Sequence, residues 1–162
     1  MPSDLHDRYR ISLTAAGAIV AAFGFGGVAY TLCARRLVVR LGERGLAQAG
    51  GGVTLLGFGL LWLAVDWRLA LVACFVMGFG FYMLHNTLQT NATPMAPAAR
   101  GTAVAMFASF FFIGQSAGVA LAALLVDAAG ASWLFLIATV LTPLVATGFA
   151  LALRNRPLRH YA

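Results

Sequence analysis

The chain has 162 residues, of which 61% are apolar and only 10% charged, and its eleven arginines and five acids, with no lysine, leave a net charge of +6. A soluble domain carries about 25% charged residues, so an ordinary soluble enzyme, a disordered chain and a coiled coil are excluded; the mean hydropathy of +0.86 agrees. The positive balance does not indicate nucleic acid, because the arginines stand in short clusters at the ends of apolar runs, where a membrane protein places them.

In chain order, the polar lead-in 1–11 carries Asp4, His6, Asp7, Arg8 and Arg10. It lacks the basic start of a signal peptide, and the apolar run after it is too long for one, so that run reads as a retained helix. A bilayer core about 30 Å thick takes about 20 helical residues to cross. Five runs meet this length: 12–35, 46–65, 69–90, 102–126 and 132–153. None contains Asp, Glu or Lys, and Arg35 is their only arginine. Their hydrophobicity runs all the way round, as a spanning helix requires, and barrel strands would not show such uninterrupted runs. The expected fold is all-α and polytopic: one membrane domain, 1–162, with five transmembrane helices. Asp66-Trp67-Arg68 and 127–131 read as tight connections. Cys33 and Cys74 lie without ligand spacing and read as small packing residues. No metal or cofactor site is expected, and the lipid bilayer is the first partner.

Arginine placement orients the chain. Arg35, Arg36, Arg40 and Arg44, then Arg100, then Arg154, Arg156 and Arg159 fall on one side; Arg8, Arg10 and Arg68 fall on the other. The positive-inside bias predicts a periplasmic N-terminus and a cytoplasmic C-terminus in an inner membrane.

The third run is the most polar. Successive helical residues turn about 100°, and with His85 at zero Gly78 lies at about 20°, Gln89 at about 40°, Tyr82 at about 60° and Asn86 at about 100°. Thr93 would follow at about 80° if the helix continued. A polar face on a lipid-surrounded helix must meet protein or water. Tyr82, His85, Asn86 and Gln89 are therefore candidates for a solute cavity, or for interhelical packing with satisfied polar contacts. His85 titrates near neutral pH and reads as a hydrogen-bonding group or a proton relay. In the fourth run Gly114 and Gly118 make a small-x-x-x-small pair with Gln115 beside it, a surface on which another helix can pack closely. Pro143 in the fifth run suggests a kink. Gly24, Gly26 and Gly27 suggest close packing or bending in the first, with no preceding strand to make a nucleotide loop. Gly114-Gln115-Ser116-Ala117-Gly118 spells G-x-S-x-G, but on helical rise Ser116 and His85 differ in depth by about 13 Å, where a catalytic dyad needs about 3 Å. Asn91-Ala92-Thr93 spells a glycosylation sequon on the expected cytoplasmic side and is set aside.

Two stretches resemble a known family. The segment from Gly24 to Gly45, GFGGVAYTLCARRLVVRLGERG, ends in a basic loop similar to the major facilitator superfamily motif G-x-x-x-D-R-x-G-R-R. Arg40 and Gly42 match its R-x-G core and Arg44 its last basic position; Arg35, Val39 and Glu43 stand where the motif has Gly, Asp and a basic residue. The segment from Gly78 to Asp127, in which a polar-ended helix leads through a Pro-containing loop to Arg100-Gly101-Thr102 and a Gly-rich helix, resembles helices ten and eleven of a sugar- or drug-efflux member. The resemblance implies helices eight to twelve, with the first seven absent. The third helix would then line a cavity, with the second and fifth peripheral. It further implies secondary transport, as efflux of a small solute such as a sugar or drug, by a truncated C-terminal part that associates with itself or with the missing half. The alternative is a small multipass protein or split-transporter subunit with no transport activity alone.

Overall fold

The computed structural model describes residues 2–92 and 97–154; Thr93, Arg156 and Arg159 lie outside them. The described residues are all helical or connecting: α1 (Pro2–Tyr9), α2 (Leu13–Leu63), α3 (Trp67–Ala92), a 3-10 turn (Pro97–Ala99), α4 (Arg100–Ala129) and α5 (Ala131–Arg154). Four of them, α2 to α5, are long and apolar enough to cross a membrane. The count differs from the expected five helices, because the runs 12–35 and 46–65 fall in one segment of 51 residues, two helices joined across a kink. Within the polar lead-in, Pro2–Tyr9 folds as α1.

That long segment is not straight. A continuous helix would separate Ala16 from Leu61 by about 68 Å, yet both lie in one apolar cluster with Ala70, Ala73, Cys74 and Met77. Tyr30 and Leu46 share a second cluster with Met83. The chain therefore doubles back between them, at Gly42, whose φ of 63° and ψ of 174° interrupt the helical geometry. Two arms result, 13–41 and 43–63, and α3 packs against both. The first arm runs in the same direction as α3, since Ala16 and Ile19 sit with Ala70 and Ala73 while Tyr30 sits with Met83; the second arm runs opposite.

Glycines make these contacts close. A Cβ on Gly26 would run into the backbone of Phe75 and Phe79, one on Gly78 into the backbone of Phe23, and one on Gly50 or Gly57 into Gly80, Leu84 or Met77. Close backbone approach maximises dispersion contact where apolar burial gives no drive against lipid. Of the Gly24 cluster only Gly26 and Gly27 serve this role, because Gly24 faces open space. The α5 helix docks on the second arm through Ala146 against Gly51, with Ala47 and Leu84 completing the contact, and continues as helix through Pro143. The α4 helix is the outermost, with no buried residue, so within this chain α4, and not the second arm or α5, takes the peripheral position.

Local chemistry sets the ends. Ser12 caps α2 by accepting from the Ala15 amide at 3.1 Å. Asp66 opens α3: its carbonyl accepts from Leu69 and Ala70, at 3.1 and 3.2 Å, and its carboxylate from the Arg68 amide at 3.4 Å. Gly130, at φ 87°, stops α4. The α1 helix covers the α2–α3 turn: Leu5 is buried, the Tyr9 hydroxyl donates to the Ala64 carbonyl at 2.8 Å and Arg8 donates to the Trp62 carbonyl at 3.3 Å. Large apolar side chains stay outside, including Leu32 at 82% exposure and Phe110 at 70%. Such a surface is tolerated in hydrocarbon and not in water.

Candidate functional site

The candidate residues occupy the C-terminal half of α3, and the structure divides them between two neighbours. Tyr82 lies toward the first arm of α2, its ring in the place a Gly27 side chain would need and 6.1 Å from that of Phe23. The side chain of Asn86 is hydrogen-bonded to that of Tyr30 on the same arm. His85 turns to α4. Its imidazole stacks on Phe81, with centroids 5.5 Å apart and planes 7° from parallel, and meets Phe111 at 4.6 Å and Phe107 at 5.8 Å. Tyr82, His85 and Asn86 are half-buried and Gln89 is exposed. Gly78, placed on the same face by its helical angle, is instead buried against the Phe23 backbone.

What results is a strip along α3, between the first arm of α2 and α4, made of aromatic rings with a few polar tips. The sequence reading found the tips and missed Phe81, Phe107 and Phe111, since it sought hydrogen-bonding side chains. A signal existed: Phe81 and His85, and Phe107 and Phe111, are both i, i+4 pairs, the spacing that stacks side chains on one helix face. The members of the second pair are 6.4 Å apart and 16° from parallel.

The loop motif divides as well. Gly42 is the break itself, while Arg40 and Arg44 are exposed on either side. Glu43, in the position where the family motif is basic, accepts from Asn91 Nδ2 at 3.1 Å, and the same amide donates to the Thr87 carbonyl at 3.0 Å. This ties the turn between the arms to the C-terminal end of α3. Arg35, Arg36, Arg40 and Arg44 thus gather at the end where α3 finishes and Arg100 opens α4, while Arg8, Arg10 and Arg68 gather at the opposite end with α1 and the Asp66 turn.

Gly114, Gln115 and Gly118 are exposed, and nothing lies within 4 Å of a Cβ built on either glycine. Their expected packing surface has no partner among the described residues. Ser116 is likewise exposed on α4, and the ring contacts of His85 are to Phe81, Phe107 and Phe111. No buried side-chain polar atom among the described residues lacks a partner, and no cluster of three potential metal ligands occurs among them.

No curated protein and no solved structure matches the chain. The sequence model of the Major Facilitator Superfamily matches residues 1–161. The match spans both arms of α2, the α3 strip and α4 and α5 alike, and the chain belongs to the Major Facilitator Superfamily, a superfamily of multipass membrane transporters.

Proposed function

We propose that the chain contributes the solute-facing part of a secondary transporter that exports a small solute, a sugar or a drug, across a bacterial inner membrane. It does so with five crossings: the two arms of α2, then α3, α4 and α5. The arginine-rich end, with Arg35 to Arg44 and Arg100, faces the cytoplasm with the C-terminus, and the N-terminus is periplasmic. Transport of this kind proceeds by rocking two repeats around a midplane site, so five crossings serve as one part of the path. Further helices, from the remainder of a transporter or from a second copy, complete it, and the exposed Gly114–Gly118 surface of α4 is where such a helix would pack. The observation that carries this reading is the strip along α3 made by the half-buried Tyr82, His85 and Asn86 and the exposed Gln89, the most polar face of an otherwise apolar chain. His85 contributes there as a hydrogen-bonding or proton-carrying group.

The test replaces Gln89 with Leu in the chain fused in frame behind seven facilitator helices and produced in an efflux-deficient bacterium. Export, read as resistance across a panel of toxic solutes, is expected to fall at least tenfold, with the amount of protein in the membrane unchanged. A collapse of abundance with transport per molecule intact would make Gln89 a packing residue.

A further inference from the structure

The composition of the α3–α4 seam bears on whether the solute is a polyol or an aromatic compound. Four rings form the seam: Phe81 and His85 from α3, Phe107 and Phe111 from α4, with neighbouring centroids 4.6 to 6.5 Å apart. Phe23 and Tyr82 extend the same surface toward the first arm of α2. The seam is the only ring-to-ring contact of α4 with α3 among the described residues, and α4 buries no residue anywhere along its length. No buried residue of α4 holds it closed. A flat aromatic molecule entering between the rings replaces ring–ring contacts by ring–ligand contacts of the same kind.

The polar complement is small and uncharged. The α3 helix has no acidic residue and its only arginine, Arg68, lies at its start; on α4 the ionisable groups Arg100 and Asp127 stand at the two ends. Asn86 is engaged with Tyr30 and Gln89 is exposed one turn further along α3, so the His85 ring nitrogens and the Tyr82 hydroxyl are the polar atoms on the ring-bearing residues of the strip. A hexose carries about five hydroxyl groups, and each one removed from water without a partner costs binding. A cation would find no counter-charge. An apolar, ring-lined surface with one or two polar atoms is the composition that suits a mostly apolar ligand.

We infer that the α3–α4 seam is a binding site for neutral, planar aromatic compounds bearing one or two hydrogen-bonding atoms. This rests on the transport reading only in taking the α3 strip as facing the solute. The test is equilibrium binding of acridone, a neutral fused tricycle with one carbonyl and one N–H, to the full chain in lipid nanodiscs, corrected for empty nanodiscs, with glucose as the comparison solute. Saturable acridone binding is expected, weakened at least tenfold by Phe111→Leu, which keeps apolar bulk and removes the ring, and retained in Phe111→Tyr. Phe110→Ala, on the exposed side of α4, is expected to bind as the unaltered chain does. Circular dichroism verifies equal helix content, and Phe107→Leu gives a second reading of the same loss. Absence of saturable acridone binding, glucose binding that acridone does not displace, or equal loss in Phe110→Ala and Phe111→Leu would each overturn the assignment. Acridone binding that meets these criteria while Gln89→Leu leaves export unchanged would remove the transport reading and keep the site.

Discussion

Gly42 holds φ 63° and ψ 174°, a region that only glycine occupies readily; a side chain there costs about 1–3 kcal/mol. Gly42→Ala is therefore expected to lower stability by that amount in a detergent unfolding titration, although nothing lies near the added methyl group. Gly78→Ala is expected to destabilise for the opposite reason, at a helical φ, because its Cβ meets the Phe23 backbone and overpacking costs about 1–3 kcal/mol. Gly24→Ala, on an open face, should be neutral or gain up to about 1 kcal/mol of helix propensity. Equal effects at all three positions would mean that neither the break nor the close contact is structural. The R-x-G core made Gly42 visible in the sequence. The close contacts of Gly50, Gly57, Gly78 and Gly80 were not, because a glycine that lets two backbones approach looks the same in sequence as one that faces lipid.

At the scale of elements, the helices were legible because crossing hydrocarbon demands long uncharged runs, and chains that meet the demand show it residue by residue. The difference lay at 36–45, where the residues on both sides of Gly42 stay helical, so that the expected loop shrinks to a reversal at Gly42 between two helical arms. Pairings between elements were not legible. Glu43 and Asn91 are 48 residues apart, and neither carries a local mark of the other; the same holds for Tyr30 and Asn86. Such interhelical hydrogen bonds in membrane proteins average about 0.6 kcal/mol and reach about 1.7. A double-mutant cycle of Tyr30→Phe and Asn86→Ala, followed by unfolding in mixed micelles, is expected to give a coupling in that range. A coupling indistinguishable from zero would show that Asn86 does not depend on the first arm for its orientation. The polar half of the candidate site was visible in the sequence as a face of α3. Its aromatic half required α4, and which face of α4 meets α3 is decided by packing that no single helix encodes.

At the scale of the whole molecule, the two arms of α2 lie antiparallel on either side of the reversal at Gly42, with Ala16 beside Leu61 and Tyr30 beside Leu46. If each arm crosses the bilayer, the chain makes five crossings and its ends lie on opposite sides. Without the reversal at Gly42 the 51-residue segment would cross once, the chain would make four crossings, and its ends would lie on the same side. The gathering of arginines at the Gly42 end favours the first arrangement, with that end in the cytoplasm. Paired reporters resolve it most directly: alkaline phosphatase, active only in the periplasm, and green fluorescent protein, fluorescent only in the cytoplasm, each fused in separate strains before Met1 and after Ala162. The five-crossing facilitator arrangement predicts phosphatase activity at the N-terminus with a dark fluorescent fusion, and fluorescence at the C-terminus with silent phosphatase. The same reporter lighting at both ends would contradict it.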